Sequence, residues 1–173
     1  MTKLIIANTE SDYKLIADLS SIIWTEHYTD IIGYRQVDYM LKKYQSAEAI
    51  KDQIEEGALY YLITHQGHKI GYLSYYKKTD CLFLSKIYIL KEWRGKGIGK
   101  KAMHFLETTA EHLEYKSLSL TVNKNNKETI KAYIKMGFKR VRDIVIDIGN
   151  DFVMDDYIME KEIWIQDKRA IRF

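Results

Sequence analysis

The sequence predicts an α/β domain, a central mixed β-sheet of about seven strands with helices on both faces. Three observations carry this. The middle of the chain, from residue 82 to 136, alternates strand, helix, strand, helix, and parallel strands so connected need cover on both faces. Short β-rich runs separated by turn residues flank that segment on both sides and read as hairpins. The chain is 173 residues long, 46% hydrophobic and 29% charged, the proportions of one ordinary globular domain.

The elements follow in order. Lys3 to Asn8 is a short apolar strand. Thr9 is a helix N-cap with Asp12 three residues on, close to a capping box. Leu15, Leu19, Ile22 and Glu26 share one face, with Ile16 and Ile23 beside them, so this helix runs to about His27, and Tyr28 to Gly33 breaks it. Tyr34 to Tyr44 is a second helix. Ser46 caps a third, which Gly57 stops. There is no proline in the chain, so caps and glycines must end every helix. Ala58 to Thr64 and Lys69 to Lys77 are strands joined by the turn Gln66-Gly67, and Leu82 to Leu90 is the next strand. A long helix follows, with Ile98, Ala102, Phe105, Thr109 and Leu113 on one face. Ser117 to Val122 is a strand, and Asn125 to Met136 a helix stopped by Gly137. Val141 to Ile148 and Val153 to Ile163 close the sheet. Residues 1–163 thus form one domain, and Trp164 to Phe173 is a tail that either frays or packs on a partner subunit, as in a homodimer.

Composition excludes several classes. No run approaches the ~18 apolar residues of a membrane span. Met1 to Glu10 has neither a long apolar core nor a cleavage site, so no signal peptide is expected. A net charge of +3 falls far short of the dense basic stripe of a nucleic-acid binder. The lone cysteine, Cys81, fits a reducing, cytoplasmic setting. His65 and His68 flank a turn, and His104 and His112 ride a helix. No cysteine or carboxylate completes a ligand set at metal spacing, so no metal is expected.

The chemistry lies between Ile87 and Lys101. A strand leads into Arg94-Gly95-Lys96-Gly97-Ile98-Gly99-Lys100, which opens a helix. Alternating glycines let backbone approach a ligand and take positive φ. A helix N-terminus offers unpaired N–H groups and the positive end of its dipole to an anion. Arg94, Lys96, Lys100 and Lys101 add positive charge. Three glycines here would cost helix stability for no packing gain if the segment were an ordinary turn. It reads as a pyrophosphate cradle. A P-loop is excluded because no Gly-Lys-Ser/Thr stands at the required spacing. Gly97-x-Gly99-x-x-Ala102 matches a dinucleotide fingerprint, but the next strand ends Thr121-Val122-Asn123 with no acid to hold a ribose.

At these residues the chain resembles the GNAT (Gcn5-related) N-acetyltransferases, whose phosphate loop [Q/R]-x-x-G-x-[G/A] is matched by Arg94, Gly97 and Gly99. A second motif of that family, N-x-x-A-x-x-x-Y-x-x-x-G-F, is matched by Asn126, Tyr133, Gly137 and Phe138, with Thr129 replacing the alanine. Ile87-Tyr88-Ile89 and Asp155-Asp156-Tyr157-Ile158-Met159 are similar to its polyamine-acetylating, PaiA-like branch. The resemblance implies an acyltransferase that uses acetyl-CoA as cosubstrate. Strands 82–90 and 117–122 would splay to admit it. Backbone at Ile87, Tyr88 and Ile89 would pair with the pantetheine arm, and the Ile89 amide would polarise the thioester carbonyl. The amides of Gly95, Lys96, Gly97, Ile98, Gly99 and Lys100 would hold pyrophosphate beside Arg94. Asn126 would bond the pantetheine arm, and Tyr133 would protonate the leaving thiolate.

The resemblance leaves the general base open. A lysine-like amine is neutral in only roughly one molecule in 2,500 at pH 7, so its proton must be taken. Relatives often place a carboxylate on the strand before the phosphate loop or at the end of the next one. This chain has Ser85 and Lys86 at the first place and Thr121 at the second. A water relay remains, or a base from elsewhere, with Glu26 the candidate. Acceptor choice is expected from Trp24 to Tyr34 and from the loop Asp147 to Asp156. Both mix acids with aromatics (Glu26, Tyr28, Asp30, Tyr34; Asp147, Asp151, Phe152, Asp155, Asp156), which suits a small cationic amine such as a polyamine. The alternatives are a protein or peptide amine as acceptor, and a non-catalytic acyl-CoA sensor.

Overall fold

A computed structural model describes residues 1–164. The expected tail therefore lies, apart from Trp164, outside the described residues, and with it the expected contact with a partner subunit. Seven strands form one sheet in the order β1-β2-β3-β4-β5-β7-β6. They are β1 (Thr2–Ile6), β2 (Leu59–His65), β3 (His68–Lys77), β4 (Leu82–Ile89), β5 (Ser117–Asn123), β6 (Lys139–Gly149) and β7 (Phe152–Glu162). The helices are α1 (Glu10–Ile32), α2 (Tyr34–Tyr44), α3 (Ala47–Glu55), α4 (Ile98–His112) and α5 (Lys127–Lys135). Among the described residues β4 and β5 pair in parallel and the other neighbours are antiparallel. The mixed sheet with helices on both faces is the architecture that the sequence predicts.

On one face α4 buries Ile98, Ala102, Met103, Leu106 and Ala110 against Leu73, Leu84, Leu118 and Leu120 of the sheet, with Ile130 and Tyr133 of α5 beside them. On the other face Ile16, Leu19 and Ile23 of α1 and Ile50 of α3 pack on Tyr60, Leu62 and Tyr72. A smaller cluster ties Trp24, Val37 and Met40 to Ile148 of β6. No helix among the described residues is long and apolar enough to cross a membrane.

Most expected boundaries shift by one or two residues, and the end of the first helix moves furthest. The first helix does not break at Tyr28 but continues to Ile32, where Gly33 at φ +83 stops it by donating its N–H to Thr29. The capping box at Thr9 and Asp12 starts it as expected. The extra turn survives because Tyr28 and Ile32 have an apolar cluster to join. It brings His27 and Tyr28 over the sheet.

Candidate active site

β4 and β5 touch only at Leu82, Phe83 and Leu84, opposite Leu118, Ser119 and Leu120. Both strands run on past that ladder, to Ile89 and Asn123, without pairing. The cause lies on the far edge of β4. Its register with β3 shifts between Ser74 and Tyr75, leaving Ser85 without a partner, and a bulge bends its strand. β5 meanwhile stays with β7 as far as Asn123, opposite Asp156. The wedge between β4 and β5 opens into a cavity of about 930 Å³.

The backbone of β4 presents itself to this wedge selectively. Leu90 donates its N–H to Ile70 of β3 at 2.9 Å. Neighbouring residues of a strand turn their groups to opposite edges, so the N–H of Ile89 faces the wedge. The Ile89 carbonyl accepts from Arg94 Nε at 2.8 Å, fastening the glycine loop to the strand end. Tyr88 turns its carbonyl toward β3 instead, so its backbone lies away from the wedge. Its ring joins Trp24 and Tyr72 at centroid distances of 5.5 and 5.4 Å.

Gly71 makes this placement possible. A Cβ there would stand 2.2 Å from the Tyr88 carbonyl oxygen and 3.0 Å from Ile89 Cα. Gly71→Ala is therefore expected to push β4 into the wedge and weaken CoA binding by roughly tenfold, the size of an overpacking strain. Isothermal titration with CoA reads this. Unchanged affinity in a folded variant would show that β4 does not set the width of the wedge.

Beyond Ile89, Gly95 and Gly97 both take φ +75. Gly97 sits at the start of α4 without a side-chain cap. The first N–H to bond back within α4 is that of Lys101, at 3.2 Å from the Gly97 carbonyl, which leaves the preceding amides as donors. The Ile98 side chain is 2% exposed in the core, so only its N–H is offered. Arg94, Lys96 and Lys100 stand exposed around the loop, with Lys96 Nζ 4.8 Å above the Trp93 ring. Open donors, a helix dipole and three cations suit a pyrophosphate. The width of the wedge and this loop together fit acetyl-CoA.

At the inner end of the wedge His27, Tyr28, Tyr133 and Asp156 stand on the cavity wall, with Asn126 in contact with His27 beside them. Asn126 is 3% exposed at the start of α5, and its Oδ1 lies 3.2 Å from His27 Nε2. That contact fixes the Asn126 amide with its NH₂ free to turn inward, when His27 carries its proton on Nε2. Burial holds His27 below its ordinary value, so it is neutral at pH 7. Tyr28, whose phenol burial pushes up, faces Tyr88, Asn126 and Asp156. Tyr133 packs on Phe138 at 5.5 Å, and burial pushes its phenol up too, so it remains an O–H donor.

Asp156 is 7% exposed. Burial, reinforced by the charge of Asp155, pushes its carboxyl up to about 6, against opposing pulls from Thr121 and Lys124. It comes from β7, and the Asn123–Asp156 register sets it beside the end of β5. That is the place where the sequence showed only Thr121. The gap-facing set Met154 and Asp156 alternates with Tyr157, which joins the α4-side core. Tyr133 reaches the wedge from the α4 face and Asp156 from the α1 face.

Glu26 does not join them. It lies off the cavity wall, partly exposed, in a 3.5 Å ion pair with Lys91. Of the expected acceptor acids and aromatics, Tyr28 and Asp156 reach the cavity. Asp155 pairs with Lys124, Asp147 accepts the Gly149 N–H at 2.7 Å, and Tyr34 and Phe152 line a separate small cavity. A residue with no expected role also appears on the wall. Lys86 is 8% exposed and donates to the Tyr44 carbonyl at 3.2 Å, to Gln53 Oε1 at 2.6 Å and to the Tyr60 hydroxyl. Burial alone brings its ammonium down to about 7. Among the described residues no group of acids and histidines is placed to hold a metal.

Comparison with known proteins agrees with this geometry. Residues 16–138 match the Acetyltransferase (GNAT) family. The peptidyl-lysine N-acetyltransferase YjaB of Salmonella typhimurium is 29% identical over 119 residues, which cover 66% of this chain and 75% of that protein. Among solved structures, the PaiA N-acetyltransferase of Thermoplasma acidophilum, in complex with coenzyme A, superposes with a TM-score of 0.75 at 20% identity, covering 94% of this chain and 99% of that one. A GCN5-related N-acetyltransferase of Rhodopseudomonas palustris gives 0.76 at 17% identity, covering 94% of each chain. At these identities the structural likeness speaks for the fold.

Proposed function

The chain belongs to the acetyltransferase (GNAT) family and is an acetyl-CoA-dependent N-acetyltransferase; we propose that it acetylates a small primary amine by direct attack in a ternary complex, with Asp156 as base and Tyr133 as acid. The observation that carries this is their placement on opposite faces of the sheet, at the inner end of one wedge. Acetyl-CoA, when bound, supplies the thioester acetyl group. The amides from Gly95 to Lys100, with Arg94, hold its pyrophosphate. Ile87 and Ile89 offer backbone to its pantetheine arm, and Asn126 offers an amide fixed by His27. The Ile89 N–H holds the carbonyl oxygen as charge gathers there, a contact worth on the order of 100–1,000-fold in rate.

Asp156 takes the proton of the incoming ammonium. A carboxyl near 6 is ionised at pH 7 and still basic enough to be useful. Tyr133 gives its proton to the departing sulfur from the other face, and the second proton that the nitrogen loses as the amide forms restores the phenol. No covalent enzyme intermediate is required, and Cys81, at the entry to β4, lies off the cavity wall. A base at this position weakens the alternative of a non-catalytic sensor. A peptide acceptor is the second reading, and the name of the Salmonella relative favours it.

Tyr133→Phe tests the assignment. It is expected to lower kcat by about 100-fold, the contribution of one general acid, with CoA affinity unchanged. Free-thiol release measures the first and titration the second. Full activity in the variant would remove Tyr133 from the chemistry.

A further inference from the structure

The surroundings of the acceptor body are not used by the acetyl transfer itself. With Asp156 on the α1 face of the wedge, the acceptor must extend over that face, between α1 and α2 on one side and the β6–β7 hairpin on the other. Its walls there are Trp24, Ile32 and Met40, facing Ile146, Ile148 and Met154. Trp24, Met40 and Ile148 are 5%, 6% and 3% exposed. Among the described residues Asp156 is the single buried carboxylate on the cavity wall. The other acids there, Asp52, Glu56 and Glu128, sit exposed at its rim. The second buried charge is cationic, the ammonium of Lys86, which among the described residues bonds to a carbonyl, an amide oxygen and a hydroxyl and to no carboxylate.

The geometry points to an acceptor that is a monoamine with an apolar body, aliphatic or aromatic, and not a polycation; this rests on the N-acetyltransferase reading of the same cavity. Asp156 matches one ammonium. A second ammonium a few carbons away would lose its water against isoleucine and methionine, or meet Lys86, and no buried acid compensates it. A hydrocarbon body of the same length gains with every methylene it buries.

Hexylamine and 1,6-diaminohexane isolate the question, since they differ only in the far charge. Thiol release from acetyl-CoA is expected to give hexylamine a kcat/KM at least tenfold higher. From ethylamine through butylamine to hexylamine it rises by about fourfold per methylene, and 2-phenylethylamine ranks with the better substrates. Ile146→Asp places an acid on the wall at a residue already 36% exposed, where folding tolerates it. It should narrow the hexylamine preference by about tenfold. Equal or better turnover of 1,6-diaminohexane or spermidine overturns the inference, as does a lysine-bearing peptide that outperforms every monoamine. Either result leaves the acetyltransferase reading standing. No thiol release with any of these amines, CoA binding intact, would instead remove the amine-acetylating reading itself.

Discussion

Asp156→Asn is expected to lower kcat by about 100- to 10,000-fold, the range of a lost general base, and at the same time to make the protein more stable at neutral pH. Both effects come from one cause. Burial favours the neutral carboxyl, which brings the group from an ordinary 3.8 up to about 6. Between those two values the folded chain holds a proton that the unfolded chain has released, so stability falls as pH rises through that window. Above about 6 the full cost is present. At roughly 1.4 kcal/mol for each unit it amounts to about 2 to 3 kcal/mol. Asn keeps the shape and carries no charge, so its gain in Tm should be full at pH 7.5 and absent near pH 4. In wild type kcat should rise to a plateau above about pH 6, a limb that the variant lacks. Melting curves at the two pH values and a kcat profile check all three. An Asn variant that turns over normally would return the base to a bound water.

The contrast between Asp156 and the glycine loop explains what the chain reveals by reading alone. The loop is local: three glycines, four cations and a helix start lie within a few residues, and their function follows from backbone rules that hold in any fold. Asn126 and Tyr133 are local too, at the start and near the end of one short helix that stops at Gly137. Asp156 is a property of register. Its neighbour across the sheet is Asn123, 33 places earlier, and only the β5–β7 ladder says that this aspartate, and not Asp155 next to it, faces the wedge. Period-two alternation through Met154 and Asp156 was the one signal available, and it does not say which face is inward. Glu26 failed for the same reason in reverse. Its helix and face were legible, but the Lys91 side chain that takes it up is fixed by the turn after β4. The apolar acceptor wall joins two helices to a distant hairpin, so no run of sequence displays it.

Lys86→Met is expected to raise Tm at pH 6 and to lose that advantage as pH approaches 10. Lys86 is the converse of Asp156: a buried cation whose value falls from 10.5 to about 7. Between those values the unfolded chain binds the proton that the folded chain releases, so wild-type stability rises with pH across the window. Below about 7 the whole cost is present, at most about 5 kcal/mol at roughly 1.4 kcal/mol per unit. Hydrogen bonds to Tyr44, Gln53 and Tyr60 offset part of it, and Met would leave those three acceptors without their donor. The absolute gain is thus smaller than the charge term, but the lost hydrogen bonds do not titrate with Lys86. The pH dependence of the difference therefore isolates the charge. Met fills the same hydrocarbon path, which keeps the packing of β4 over α3. The same substitution removes a cation from the wall beside the acceptor, so the penalty on 1,6-diaminohexane relative to hexylamine should shrink together with the low-pH instability. A Tm difference that stays constant from pH 6 to 10 would show that Lys86 is held as an ordinary charged lysine, and the diamine penalty would then belong to the apolar wall alone.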